Sequence, residues 1–165
     1  MTRGMIQGTW NHQNGTFPTL DSVINNGYVA QQWQPLDTSR EMTIGQLRLE
    51  IEARLPITDN GYSPGLVMAL MVLPNGAANL PSQGSLTSTW VRQNGQFFWF
   101  IDKLTVTADG TNFVDLEGSY APKTMRKVPP SGYLYLLLIN WSGSTYPSTN
   151  CVGMARIEWV ETPTD

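Results

Sequence analysis

Between residues 44 and 55 apolar and polar positions alternate: Leu47, Leu49, Ile51, Ala53 and Leu55 are separated by Arg48, Glu50, Glu52 and Arg54. A period of two places all five apolar side chains on one face of a strand, whereas a helix would scatter them around its circumference. Four further segments carry strand patterns. Residues 66–73 are apolar on both faces and closed by Pro74-Asn75-Gly76. A buried strand and a short buried helix both fit such a run, and the tight bracketing by Pro and Gly favours the strand. Residues 96–107 hold the aromatic and β-branched run Phe97-Phe98-Trp99-Phe100-Ile101 with Leu104 and Val106, read as one strand ending at the turn Asp109-Gly110. Residues 133–141 are almost continuously apolar, and residues 152–161 make a last strand.

Weaker signals fill the remainder. Residues 1–36 suggest one or two short strands, around Gly27-Tyr28-Val29-Ala30 and Gln31-Gln32-Trp33, and residues 112–120 suggest another. Asp59-Asn60-Gly61 and Ser63-Pro64-Gly65 form a turn cluster, while residues 75–89 are too polar to pack as an element and read as a long surface connection. No helix is expected. The sum, roughly seven to nine short strands with varied loops, predicts an all-β fold, an antiparallel β-sandwich or barrel. A connection as long as residues 74–95 suits strands that cross between two sheets, as in Greek keys and jelly rolls. One domain over residues 1–165 is expected, with residues 1–39 as an N-terminal segment of short strands and 40–161 as the main sandwich.

Composition narrows the classes. Only 14% of residues are charged, against roughly 25% in ordinary soluble domains. Neutral polar residues replace the missing charge, with Ser, Thr, Asn and Gln totalling 48. Coiled coils and charge-rich disordered chains are thereby excluded. A net charge of −3 lacks the basic footprint of a nucleic-acid binder. No apolar stretch is long enough for a membrane span, and the first residues lack the apolar core of a secretory signal. The single cysteine, Cys151, excludes an internal disulfide and any cysteine-cluster metal site. Asn14-Gly15-Thr16 and Asn140-Trp141-Ser142 match the glycosylation pattern, as chance matches do in a chain this rich in Asn, Ser and Thr.

Candidate chemistry is sparse. Glu50 and Glu52 are paired carboxylates of the kind glycosidases use. They interleave with arginines, and no carboxyl lies within an apolar stretch that would raise its pKa, so the pattern is that of a solvated or interface face with cross-strand ion pairs. The only histidine, His12, sits in a polar loop sequence, and no nucleophile elbow or phosphate loop occurs, so no enzyme is expected. Asp59 and Asp109 lie beside turns and supply oxygen ligands of the type calcium takes, at subunit contacts if at all. Lys123, Arg126 and Lys127 form the one basic cluster, flanked by Pro122 and Pro129-Pro130. With Arg3 they are the candidates for salt-sensitive phosphate contact.

The C-terminal third carries a resemblance. Lys123-Thr124-Met125-Arg126-Lys127, the turn at Gly132, the strand from Tyr133 to Trp141, a Ser-rich loop, and Val152-Gly153-Met154-Ala155-Arg156-Ile157-Glu158-Trp159-Val160 together resemble the final strands of single jelly-roll coat proteins. These belong to small icosahedral viruses, of plus-strand RNA and of circular single-stranded DNA type. The resemblance implies a capsid protein that self-assembles in many copies into a virion shell around a viral genome. The low charge fits side surfaces covered by identical neighbours, since interface cores are depleted in charge. Many such coats begin with a basic arm, whereas Arg3 is the only Lys or Arg within residues 1–39. Either the chain is a trimmed shell domain or its particle needs little protein-borne charge inside. The alternative reading is an extracellular β-sandwich module for carbohydrate or another ligand, with tryptophans as stacking platforms.

Overall fold

The computed structural model describes residues 1–11, 28–56, 66–74, 80, 87–110, 113–140 and 152–164. Its strands run in chain order as β1 (Thr2–Asn11), β2 (Tyr28–Trp33), β3 (Met42–Pro56), β4 (Leu66–Leu73), β5 (Phe98–Lys103), β6 (Thr105–Asp109), β7 (Phe113–Tyr120), β8 (Arg126–Val128), β9 (Tyr133–Asn140) and β10 (Val152–Pro163). A six-residue helix α1 (Ser88–Gln93) and a 3-10 turn (Gly95–Phe97) precede β5. The strands form two antiparallel sheets packed as a sandwich. The larger has the order β1-β10-β3-β7-β6 with β8 also paired to β3, and the smaller has the order β2-β9-β4-β5.

The pairings are nested. β1 pairs with β10, β2 with β9, β3 with β7 and β4 with β5, and each inner pair lies closer together in the chain than the one outside it. Two further pairings, β10 with β3 and β9 with β4, join these ribbons side by side into the sheets. Residues of the 1–39 segment are therefore full members of both sheets, β1 along ten positions of β10 and β2 along six of β9.

The strand alternation places the core between the sheets. Leu47, Leu49, Ile51, Ala53 and Leu55 are buried while Arg48, Glu50, Glu52 and Arg54 stay exposed. Met42 and Ile44, at even positions, are buried too. The change of phase is a β-bulge. The pairing with β10 shifts between Glu158 and Val160, and Gln46 adopts φ 49°, a left-handed conformation uncommon outside glycine. The extra residue flips β3 by one position, which is why its sequence alternation begins cleanly only at Leu47. From β10, Ala155, Ile157 and Trp159 complete the inner face. Each fully buried Leu or Ile contributes roughly 1.5–3 kcal/mol of transfer free energy.

β4 is buried at all eight positions because the smaller sheet is covered on both sides. Its even residues join the main core, and Val67, Ala69, Met71 and Leu73 face a second cluster with Leu137 and Ile139, over which Trp90, Val91, Phe97 and Phe98 pack. The end of the long connection thus departs from the expectation of a bare surface loop without helix. Thr87 caps α1, its hydroxyl accepting from the Trp90 N–H at 3.1 Å, and Trp90 meets Phe98 edge-on at 6.3 Å. Fewer than two turns leave no readable helical period, so only the apolar residues Trp90 and Val91 could signal the contact.

The expected single strand over residues 96–107 is also corrected. It is two strands in different sheets, β5 and β6, separated by buried Leu104, whose N–H donates to the Leu66 carbonyl at 3.0 Å. β5 is an edge strand, so its aromatic residues are only half-buried. Phe100 stacks on Tyr120 of β7 at 4.3 Å, and the Tyr120 hydroxyl donates to the Trp99 carbonyl at 3.3 Å, tying the two sheets together.

Candidate functional site

The outer face of the larger sheet gathers most of the charge of the described strands. β3 presents Arg48, Glu50, Glu52 and Arg54, and the register sets Arg156 opposite Glu50, Glu158 opposite Arg48, Asp115 opposite Arg54 and Glu117 opposite Glu52. Arg54 forms the best-defined contact. Its Nε donates to Asp115 Oδ1 at 2.7 Å and its Nη2 to Oδ2 at 2.9 Å, a bidentate fork, while the guanidinium lies 4.0 Å from the Phe113 ring centroid. The hydrogen bonds from Arg54 hold the Asp115 carboxyl below its ordinary pKa, and the same bonds raise that of Arg54. Arg156 donates to Glu158 at 3.0 Å, and Arg48 lies 3.6 Å from Glu158 and 3.7 Å from Glu50. These are exposed pairs that fix the pattern of the face and add little stability.

One cross-strand pair breaks this matching of opposite charges. Glu52 and Glu117 stand directly opposite each other, and among the described residues neither carboxylate has an ion pair. Like charges at opposed positions are destabilising in a sheet. Both line two open grooves, one of about 640 Å³ shared with Arg54, Asp115, Val152 and Met154, the other of about 510 Å³ shared with Glu50, Asp102 and Lys103. Val152 and Met154 leave 44% and 41% of their surface exposed there, so the face mixes charge with apolar contact area. Glu50 and Glu52 lie exposed on this open face as strand neighbours two residues apart.

The four cations singled out from the sequence lie at one end of this sheet but do not converge on one patch. β8 pairs with the start of β3, Lys127 opposite Thr43 and Arg126 opposite buried Ile44, so consecutive side chains leave the strand on opposite faces. Lys127 stands 3.9 Å from Glu41. Lys123 is exposed in the bend before β8, and Arg3 lies on β1, opposite Val160. Of the two aspartates proposed for calcium, Asp109 closes β6 opposite Val114, and Asp59 lies outside the described residues, as do His12 and Cys151. Among the described residues no group of three or more His, Cys, Asp or Glu is placed to hold a metal ion. No helix there is long and apolar enough to cross a membrane.

Sequence reading missed Glu161. It follows Gly153, Ala155, Ile157 and Trp159 on the inward positions of β10 and is 1% exposed. The Leu36 N–H donates to its Oε1 at 2.8 Å, whereas Oε2 has no partner among the described residues. Trp33 and Trp159, 4.5 Å apart between ring centroids, are both buried, and their indole N–H groups find no partner among the described residues. Extending the period-two count to the end of β10 is the signal that would have placed Glu161 inside. Trp90 and Trp99 are half-buried, packed against the second cluster and the main core respectively. No protein-family model matches the chain, and no curated protein matches it either.

Proposed function

We propose that the sandwich is wound as a single jelly roll and that the chain is a capsid protein, self-assembling in many copies into an icosahedral shell that encloses a viral genome. The observation that carries this reading is the nested pairing of β1 with β10, β2 with β9, β3 with β7 and β4 with β5. One long antiparallel ribbon folded over on itself produces that nesting, which is the winding of the double-sheet jelly roll used by capsid domains and by some lectins and cupins. Two features favour the shell over a sugar-binding module. Trp33 and Trp159 are buried in the core, and the outer face of the larger sheet presents open grooves bordered by ion pairs, a surface suited to contact with another protein.

Self-association supplies the energetic logic. Identical copies related by closed symmetry cover one another's side surfaces, and a chain with only 14% charged residues has little charge to desolvate in the cores of those contacts. Arg3, Lys123, Arg126 and Lys127 are the cations offered to a genome, and their scatter calls for phosphate neutralisation at separate points. Light scattering of the purified chain across salt, pH and calcium concentration tests the reading. Assemblies far above 18.4 kDa are expected under at least one condition, and a monomer under all of them overturns it.

A further inference from the structure

The sheet edges are unequal. β6 is five residues long with a register shift, β8 is three residues with two cations, and β5 has a register shift and ends in Asp102-Lys103. β2 is six residues. Short length, bulges and charge are the devices by which proteins protect an edge from pairing with another chain. β1 is neither short nor bulged and carries little charge. It is paired to β10 at ten consecutive positions without a shift, contains no proline, and carries a single charge, Arg3. Among the described residues no strand pairs with its other side. Met5 is 57% exposed on its outer face, and Ile6, which packs against the core, is only half-buried.

We propose that this edge pairs antiparallel with β1 of a second copy about a two-fold axis at Ile6, joining the larger sheets of two subunits into one. Only registers in which the two positions sum to an even number keep the inner face of one strand continuous with that of the other. The register centred on Ile6 overlaps residues 2–10 and sets the two half-buried Ile6 side chains side by side. It places Gly4 opposite Gly8, Met5 opposite Gln7, and Arg3 opposite Thr9, so the only charge on the strand never meets its copy. The strand is in this sense complementary to itself, which favours a second copy over an unrelated peptide. The contact rests on the self-assembly reading for its use, as one of the interfaces of the shell.

Charge-swap variants test it. Met5→Lys with Gln7→Lys sets cation against cation twice across the axis, whereas Met5→Lys with Gln7→Glu sets cation against anion twice. Both positions are exposed, so the subunit fold, checked by circular dichroism, is retained. By light scattering the first double variant is expected to lose the two-fold contact and the second to keep it. In a Cys151→Ser background, Ile6→Cys is expected to cross-link between copies on oxidation many times more efficiently than Thr2→Cys. Equal behaviour of the two charge variants, or equal cross-linking at positions 2 and 6, overturns the pairing. The two readings separate cleanly: shells unaffected by the paired lysines refute the β1 contact alone, whereas cross-linked dimers that never form shells refute the capsid reading alone.

Discussion

Gly4 is the position where the packing of the sandwich can be probed most sharply. It faces inward from β1, opposite Trp159 of β10. A Cβ added there would lie 2.2 Å from Cε2 and Cζ2 of the Trp159 ring and 2.8 Å from Cη2. Carbon atoms prefer roughly 3.5–4.0 Å, so the ring would have to retreat by more than about 1 Å. It has nowhere to go, because it is 3% exposed and Trp33 lies 4.5 Å away between ring centroids. Overpacking of this kind costs about 1–3 kcal/mol, and more where relaxation is blocked. Removing a glycine from a strand returns roughly 0.5–1 kcal/mol. Gly4→Ala is therefore expected to lose about 1–2 kcal/mol net. With a urea slope of about 2 kcal/mol per molar, the denaturation midpoint falls by about 0.5–1 M at unchanged slope. In a Trp159→Phe background, where the ring atoms that clash are absent, the cost of Gly4→Ala should shrink, giving a coupling of about 1 kcal/mol in a double-mutant cycle. A midpoint equal to or above that of the parent protein would refute the close approach of β1 to Trp159.

Other perturbations separate the remaining parts of the account. Gly118→Ala brings a Cβ to 2.6 Å from Leu104 Cδ2 and Met68 Sδ, both ends of flexible side chains, so urea denaturation should show a smaller loss than Gly4→Ala. Leu70→Ala, at a fully buried position, should cost about 2–5 kcal/mol in the same assay. Glu161→Ala removes the acceptor of the Leu36 N–H and should cost about 1–3 kcal/mol, while Glu161→Gln keeps an acceptor and should be far milder. The Asp37 pKa is lowered to about 2, chiefly by the Ser39 hydroxyl at 2.6 Å and then by Arg40. A depressed carboxyl contributes stability above its ordinary pKa and loses it as pH falls towards the folded value. Asp37→Asn should thus be less stable than the parent at neutral pH, with the difference vanishing as pH falls from about 4 to about 2 in acid titrations. On the proposed capsid reading, replacing Lys123, Arg126 and Lys127 together by Gln should reduce packaged nucleic acid, and the salt dependence of its retention, while leaving shells intact.

The legible part of the fold is the part in which one face meets water and the other meets core. β3 shows this best, since four charged residues alternate with buried ones and only a strand reconciles them. β4 and β9 are legible as apolar runs, but those runs give no hint of what covers the outer side of the smaller sheet. That cover comes from a segment rich in polar residues, in which Trp90, Val91, Phe97 and Phe98 pack on the sheet by tertiary contact rather than periodicity. The bulge at Gln46 is visible only as a stumble between Ile44 and Leu47. The division of residues 96–107 into strands of two sheets falls at Leu104, a single apolar residue between Lys103 and Thr105, and one apolar residue between polar ones reads the same inside one alternating strand as at a crossing. Of the candidate site, the polar face of β3 can be read directly. Its partners Asp115, Glu117, Arg156 and Glu158 cannot, because register between distant strands is set by burial on the opposite face.

Charge is scarce in this chain, and among the described strands about half of it lies on the outer face of the larger sheet. The low charge of the chain is in this account a property of surfaces that identical copies cover. Electron microscopy of the expressed chain tests that claim most directly. Closed particles of uniform diameter are the expected result, and dispersed single subunits at every salt, pH and calcium concentration would contradict it.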